Sequence, residues 1–325
     1  MANRVREENK RYIFDVPRHY NFQYIIRFGK AAVLRFFYRI LFLIIKEKKH
    51  VYQYEVSICA IFKNEAPYLK EWIEYHKLIG VQHFYLYNNN SEDEYMRILE
   101  PYIQAGTVTL QEFRENQAQL KAYADCITKQ KKNTHWLAFI DIDEFIVPKQ
   151  WDTLSDFLKG FANRPSVKLN WNVFGTSGLI ERDLDSLVIE SFFSCWNKVD
   201  MVGKCILNNN FQIDIDYKKN KLFHHAMWGK WHEIHLPPVN CFDHLCIDDF
   251  EWAGTDEFPI IINHYFTKSY KEYILKSGKG DVFFLNNPHT SDYMWRHERR
   301  CMKADYSIRK YVLRLKLNML GDQNQ

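Results

Sequence analysis

The chain has 325 residues, of which 46% are hydrophobic and 26% are charged. This composition is typical of a folded globular protein and excludes a disordered, low-complexity or collagen-like chain. Residues 1–50 carry 12 Lys and Arg against 4 Asp and Glu, residues 289–325 carry 8 against 4, and residues 51–288 carry 24 against 32. An acidic body between two basic ends argues against nucleic acid as a partner and suits a body that binds a metal cation.

The basic N-terminal region contains an apolar stretch at residues 25–45. Four basic residues interrupt it: Arg27, Lys30, Arg35 and Arg39. A membrane-spanning helix needs about 20 largely uncharged residues, so the stretch predicts an amphipathic helix that lies on an anionic membrane surface. The residues of this helix that are expected to enter the membrane are Phe36, Phe37, Leu41 and Phe42. A helix packed on the protein's own surface is the alternative.

The seven cysteines are scattered and lack the spacing of a zinc knuckle or a redox dithiol. Cys241 and Cys246 are the nearest pair, with His244 between them, but a second pair of ligands at zinc-finger spacing is missing. We therefore expect free thiols in a reducing compartment. Together with the absence of a secretory signal peptide, this predicts a cytoplasmic protein, peripheral on the cytoplasmic face of the membrane.

From residue 55 onward, short apolar runs alternate with amphipathic stretches. The first predicted elements are strands at 55–62, 83–87, 108–113 and 136–142, and helices at 67–79, 94–103 and 117–131. The later ones are strands at 167–174, 204–207, 222–228 and 259–266, and a basic helical segment at 293–320. This alternation predicts an α/β fold with a mainly parallel sheet flanked by helices.

Three regions are expected along the chain. Residues 51–288 contain no linker rich in Pro, Gly or Ser, which favours a single domain. Residues 1–50 are predicted to be a basic amphipathic extension, and residues 289–325 a basic helical tail.

Asp141 and Asp143 directly follow the apolar run at residues 136–140. In an extended chain, residues two apart face the same side, so both carboxylates would project from one strand end. Two acids this close repel each other unless a cation lies beside them. Because Mn²⁺ and Mg²⁺ prefer oxygen ligands and join carboxylates to phosphates, the pair predicts a metal–diphosphate site. A solvated strand end or a capping pair is the alternative.

Five longer segments resemble glycosyltransferases of the GT-A fold, in the bacterial group related to families 2 and 92. The segments are VSICAIFKNEAPYLKEWIEYHKLIGVQHFYLYNNNSED (56–93), QLKAYADC (119–126), WLAFIDIDEFIVP (136–148), WNVFGTSG (171–178) and NHYFTKSYKEYILKSGKG (263–280). The resemblance implies a Rossmann-like GT-A sheet and a metal-dependent transfer of a sugar from a nucleotide diphosphate sugar, with UDP as the expected nucleotide. It also implies a glycan or lipid-linked acceptor, a place in cell-surface polysaccharide or lipopolysaccharide synthesis, and inversion of the anomeric centre.

The resemblance also assigns roles to individual residues. The implied donor-binding residues are Lys63, Asn64, Glu65, Asn88, Asp93, Gln119, Tyr123, Asp141, Lys268 and Lys276. The implied ligands of Mn²⁺ or Mg²⁺ are Asp141, Asp143 and His264, and the implied acceptor or sugar cleft is Trp171, Phe174 and Gly175. The implied catalytic base is Glu190, with Glu181 and Asp183 as rivals. Asn88 stands where the family usually has Asp, which leaves the nucleotide open, and Lys204 and the pair His224 and His225 recur in the family without a role that we can derive.

Two other classes of protein remain as alternatives. A phosphohydrolase of the haloacid dehalogenase type also uses two Asp residues after an apolar strand, but Phe145 stands where that motif has Thr or Val. A catalytically silent relative that serves as a membrane-peripheral scaffold would be expected to lose Asp141, Asp143 or His264, and all three are present. Donor hydrolysis and UDP binding with Mn²⁺ would separate both alternatives from an active transferase.

Overall fold

A computed structural model describes residues 22–46, 50–115, 118–213, 215, 223–247, 257–278 and 290–321. The helices in these ranges are α1 (Phe22–Ile44), α2 (Ala66–Leu78), α3 (Tyr95–Gln104), α4 (Gln119–Gln130), α5 (Leu154–Leu158), α6 (Val188–Ser191), α7 (Tyr270–Gly278), α8 (Ser291–Glu298) and α9 (Val312–Gly321). The first strands are β1 (Tyr54–Phe62), β2 (His83–Asn88), β3 (Val108–Glu112), β4 (Thr134–Phe139), β5 (Glu144–Pro148), β6 (Ser166–Val173) and β7 (Ser194–Trp196). The remaining strands are β8 (Gly203–Asn208), β9 (Gln212–Ile213), β10 (Gly229–Trp231), β11 (Ile234–Leu236), β12 (Val239–Asn240), β13 (Ile260–His264) and β14 (Cys301–Ala304).

The main sheet has nine strands in the order β3-β2-β1-β4-β8-β6-β13-β5, with β12 beside β6. Strands β1 to β4 pair in parallel, and β8 runs antiparallel to both β4 and β6. Strand β13 runs parallel to β6 and antiparallel to β5. Six strands therefore end at one edge of the sheet, where β8 and β5 begin: β1, β2, β3, β4, β6 and β13. The predicted α/β fold with a mixed, mainly parallel sheet is confirmed.

Strand β1 shows why the apolar runs form the centre of this sheet. Ile58 and Ala60 pack with α2 residues in one apolar cluster, whereas Cys59 and Ile61 pack with α4 residues in another. A strand that is covered on both faces needs apolar residues at successive positions, which is the pattern of EVSICAIF. Helix α2 begins with a Pro in its first turn, and Gly80 follows its end at a φ of 93°.

The predicted strand at 222–228 is not found in the described residues of that range. Residues Phe223–His225 form a single 3₁₀ turn, and the neighbouring strand β10 begins only at Gly229. Residues 216–222 lie outside the described part of the chain. The seven cysteines all lie inside it, and no disulfide joins any two of them there.

The C-terminal segment packs on the sheet domain. It is not one continuous helix, because Cys301–Ala304 form strand β14, which pairs with β7 and satisfies backbone groups at that edge. Beyond it, Ile308 and Leu315 are buried in the large apolar cluster that also contains α2 residues. The division of the chain into residues 1–50, 51–288 and 289–325 stays a prediction.

Helix α1 does not place the four residues predicted to enter the membrane on one face. Leu41 and Phe42 are buried against the domain, whereas Phe36 and Phe37 are exposed. The difference arises because two apolar faces run along the helix and only one of them contacts the protein. None of the described helices is both long enough and apolar enough to cross a bilayer.

Candidate active site

The candidate site lies at the sheet edge where the parallel strands end. The segments after β1, β2, β4 and β13 meet there with the first residues of β5 and β8. In open α/β sheets, ligands bind outside the carboxyl ends of the strands. The side chains at this edge are therefore the candidates for binding a nucleotide-sugar donor and a metal ion.

Asp141 is held by three donors. The Gln119 amide and the Tyr123 hydroxyl donate to Asp141 Oδ1 at 2.9 and 3.0 Å. The Lys204 ammonium donates to Oδ2 at 2.7 Å. A carboxylate offers about four acceptor positions, so roughly one remains for a ligand.

Asp143 faces a different set of partners. Its Oδ2 accepts from Lys276 Nζ at 2.5 Å, and its Oδ1 lies 3.6 Å from His264 Nε2. Burial alone would raise the pKa of Asp143, but Lys276 and the neighbouring basic groups outweigh burial and hold that pKa below its usual range. Both Asp residues follow the end of one strand, as expected, but not in an extended chain. Strand β4 ends at Phe139, Asp143 lies in the turn that follows, and the two carboxylates contact different lysines.

Lys204 supplies a buried positive charge beneath the site. Its ammonium lies 3.7 Å from the buried carboxylate of Glu144, in addition to its contact with Asp141. Burial raises the pKa of Glu144 well above its ordinary value, and the charge of Lys204 opposes the shift. The preceding Gly203 allows β8 to pack closely on β6, because a Cβ there would overlap the carbonyl oxygen of Leu169. A single Lys inside the apolar strand GKCILN was the sequence signal for this group.

Trp171 and His264 form the wall of the site next to Lys204. Their ring centroids are 4.7 Å apart, and the His225 ring lies 5.3 Å from the Trp171 ring. Burial lowers the pKa of His264 to about 4, so the ring is neutral at pH 7. Trp171 Nε1 and His264 Nδ1 are both buried without a hydrogen-bond partner in the described parts of the chain. Such groups are rare in folded proteins and point to a polar ligand at this wall.

The residues that follow β1 and β2 are tied to one another. Asn64 adopts a φ of 55°, and its side-chain oxygen accepts the backbone N–H of Glu92 at 2.7 Å. Asp93 accepts the backbone N–H of Ala66 at 2.8 Å, at the start of α2. Lys63 is half-buried at the end of β1. These contacts hold the two loops as one rim of the site.

Three further predicted donor-binding residues lie along the same rim: Glu65, Asn88 and Lys268. Lys268 is buried, with its ammonium 4.0 Å from Glu65 Oε2 and 4.0 Å from the centre of the Tyr68 ring. Burial lowers the pKa of Lys268. The buried Asn88 donates to Glu112 at 2.9 Å. The structure thus brings the loop after β1 close to the segment that follows β13.

Two residues predicted for the acceptor cleft are placed elsewhere. Phe174 is fully buried, with its ring centroid 4.6 Å from that of Tyr265, so it belongs to the core. Gly175 packs so tightly that a Cβ there would come within 2.6 Å of Glu298 Oε1 and Cys301 Sγ. Strand β6 ends at Val173, so both residues follow the strand, where the chain packs into the core and against Glu298 and Cys301.

The predicted base and its rivals have other partners. Glu190 lies on α6, and its carboxylate is 2.6 Å from Lys316 on α9. Glu181 pairs with Lys271, and Asp183 accepts a backbone N–H from its own turn. These contacts do not include Asp141 or Asp143, so the catalytic role of Glu190 stays a prediction.

Comparison with known proteins identifies relatives of this chain. The sequence profile of glycosyltransferase family 92 matches residues 52–238. A glycosyltransferase family 92 protein of Ricinus communis is 26% identical over 224 residues, 67% of this chain and 36% of that protein. A galactan β-1,4-galactosyltransferase of Arabidopsis thaliana is 30% identical over 125 residues, 35% of this chain and 24% of that protein. Both relatives are plant proteins, and the placement in a bacterial group stays a prediction.

Solved structures align more loosely. TarS of S. aureus aligns with a TM-score of 0.34 and 12% identity, over 52% of this chain and 49% of that chain. The chain spans about a third or less of the length of the sequence relatives that it matches. Because the family profile covers more than half of its residues, the chain belongs to glycosyltransferase family 92.

Proposed function

We propose that this protein transfers a sugar from a nucleotide diphosphate sugar, with a divalent metal at Asp143 and His264. The observation that carries the proposal is the charged cluster at the carboxyl edge of the sheet. In it, buried Lys204 lies near the Trp171 ring and buried Asp143 near the His264 ring. One polar atom of each ring, Trp171 Nε1 and His264 Nδ1, lacks a protein partner in the described residues. Family membership supports the same class of reaction.

The residues present fit a divalent metal. Asp143 Oδ1 and His264 Nε2 lie 3.6 Å apart, and the His264 ring is neutral, as a metal ligand must be. When bound, Mn²⁺ or Mg²⁺ would neutralise the diphosphate leaving group. Asp141 is already engaged by three donors, so we propose that it accepts a hydroxyl of the donor nucleotide and does not bind the metal.

The basic residues at the rim would hold the diphosphate. Lys276 contacts Asp143, and the charge of the buried Lys268 also helps to hold the pKa of Asp143 below its usual range, so both ammonium groups are next to the proposed metal site. Phosphate oxygens of the donor would accept charge-assisted hydrogen bonds from these two ammonium groups. Trp171 would then offer its ring face to the sugar.

Galactose is the first sugar to test, because galactosyltransferases are among the relatives. We further propose UDP as the nucleotide, a glycan or lipid-linked acceptor, and inversion in a single displacement. Inversion of this kind requires a carboxylate that deprotonates the acceptor hydroxyl, and Glu190 remains the predicted residue.

A thermal-shift panel tests the donor and the metal together. UDP-galactose, UDP-glucose, UDP-N-acetylglucosamine and GDP-mannose are compared with and without Mn²⁺. We expect one UDP-sugar with Mn²⁺ to raise Tm by several degrees, because a ligand that binds only the folded state stabilises it. Asp143→Asn should abolish the shift that depends on Mn²⁺. Asp243→Asn, which alters an acid bound to Arg164, is the matched control and should retain it.

Two results would contradict the proposal: an unchanged Mn²⁺-dependent shift in Asp143→Asn, or shifts that are equal with and without metal. Release of UDP from the bound donor then separates a transferase from a silent scaffold. A protein that binds the donor tightly and releases no UDP with any acceptor would favour the scaffold.

A further inference from the structure

Helix α1 presents two apolar faces. The inner face packs on the domain through buried Leu41, Phe42 and Ile45. The Phe42 ring lies 4.6 Å from the guanidinium of Arg164, and that guanidinium is bound to Asp243 at 2.6 Å. The C-terminal half of the helix is therefore anchored, and the orientation of its other face is set.

The outer face of α1 is a stripe of exposed apolar side chains. Its members, the outer stripe, are Phe22, Ile25, Ile26, Val33, Phe36, Phe37, Ile40, Leu43 and Ile44. Their relative exposure ranges from 46% for Ile40 to 85% for Leu43. With 3.6 residues per turn, these positions fall within a sector of about 120° on the side opposite the buried residues. A contiguous exposed apolar surface of this kind marks an interaction site.

The charge around the outer stripe selects its partner. Residues 22–46 contain five Lys and Arg and no Asp or Glu. Lys30, Arg39 and Lys46 are exposed beside the stripe. Apolar side chains flanked by basic ones match an anionic lipid surface, where the ring and aliphatic groups enter the acyl boundary and the ammonium groups meet phosphates.

We propose that the outer stripe of α1 docks the protein on an anionic membrane surface, with the helix parallel to the bilayer plane. The alternative occupant is a second copy of the chain. Pairing of two stripes would bring two groups of basic residues together without an acidic partner on either helix, and like charges at a contact oppose association.

Vesicle sedimentation tests this proposal independently of transfer activity. The full chain is mixed with phosphatidylcholine vesicles that contain either no anionic lipid or phosphatidylglycerol. We expect binding about tenfold tighter or more to the anionic vesicles, and a loss of binding at high salt. Val33→Ser/Phe36→Ser/Ile40→Ser should abolish binding, and Lys30→Gln/Arg39→Gln/Lys46→Gln should weaken it to the level of neutral vesicles.

The matched control removes three exposed apolar side chains from the other basic helix. Leu313→Ser/Leu317→Ser/Leu320→Ser on α9 should bind anionic vesicles as the parent does. Circular dichroism and size-exclusion chromatography verify fold and oligomeric state for each variant. The proposal is overturned if the outer-stripe variant binds like the parent, or if binding is lost only in the α9 variant. A parent dimer that becomes monomeric in the outer-stripe variant, without lipid binding, would identify a second copy as the occupant.

Discussion

At the residue scale, Lys204 shows how a single buried charge organises the candidate site. Its ammonium lies 2.7 Å from Asp141 and 3.7 Å from Glu144, and its side chain is almost fully buried. A cation between two acidic side chains offsets their mutual repulsion and part of the cost of burying Glu144. Lys204 therefore orients the Asp141 carboxylate before any ligand arrives.

Lys204→Met should lower the free energy of unfolding by about 1 to 3 kcal/mol, because it leaves the buried Glu144 and the half-buried Asp141 without their cation. Urea unfolding measures the loss. Adding Asp141→Asn should recover part of it, since the double variant no longer has an unpaired carboxylate at this position. Lys303→Met, at an exposed position of β14, is the control and should cost less than about 0.5 kcal/mol. A Lys204→Met variant as stable as this control would show that the ion pair is not needed for the fold.

At the scale of elements, α2 and α6 are joined through one carboxylate. The backbone N–H groups of Val188 and Ile189 donate to Glu71 at 2.8 and 3.0 Å. These groups lie at the start of α6, where the first N–H groups of a helix have no partner inside the helix. Burial raises the pKa of Glu71 to about 7, against the lowering effect of the two donors. The carboxylate thus orders a segment that is distant in sequence.

The burial of Glu71 predicts a pH dependence of stability. The pKa of Glu71 is raised on folding, so between about pH 4.5 and 7 the folded state binds more protons than the unfolded state. The stabilising contribution of this group is present at the lower end of that window. It is lost as pH rises through the folded pKa, by about 2 to 3 kcal/mol.

Glu71→Gln removes the titration and retains an oxygen acceptor. Unfolding measured from pH 5 to 7 should therefore show the parent losing stability relative to the variant as pH rises. Glu94→Gln, at an exposed residue before α3, is the control and should follow the parent. Parallel pH profiles for the parent and Glu71→Gln would contradict the assignment.

At the scale of the whole molecule, charges that are segregated along the sequence meet in the fold. The basic C-terminal segment contacts the acidic body through Lys316 and Glu190 at 2.6 Å, and Lys310 donates to the carbonyl of Pro148 at 2.9 Å. Helix α9 lies against α2, so the segment after residue 289 contributes to the same apolar core as the sheet.

Leu315→Ala tests whether this segment is part of the folding unit. Leu315 is fully buried, so the substitution should lower the free energy of unfolding by about 2 to 5 kcal/mol. Leu313 lies on the same helix with 71% of its surface exposed, and Leu313→Ala should cost less than about 0.5 kcal/mol. Equal, small effects in denaturant unfolding would mean that the segment is a separate tail, as the sequence predicts.

The sequence by itself determined the fold class and the elements of the first half of the body, up to β4. The predicted strand 55–62 and helix 67–79 differ by a few residues at most from β1 and α2, because apolar runs and helical periodicity are local properties of the chain. The resemblance to sugar transferases likewise depended on contiguous segments. It assigned Asp141, Asp143 and His264 to one site, together with Lys268 and Lys276.

Only the tertiary structure decided which partner each of these side chains has. Asp141 and Asp143 turn toward different cations because β4 ends before them, and Lys204 reaches Asp141 because β8 lies beside β4 in the sheet. The separation of α1 into an inner and an outer face likewise depends on what the helix packs against. Strand order and packing bring together residues that are distant in sequence, so no local pattern encodes these contacts.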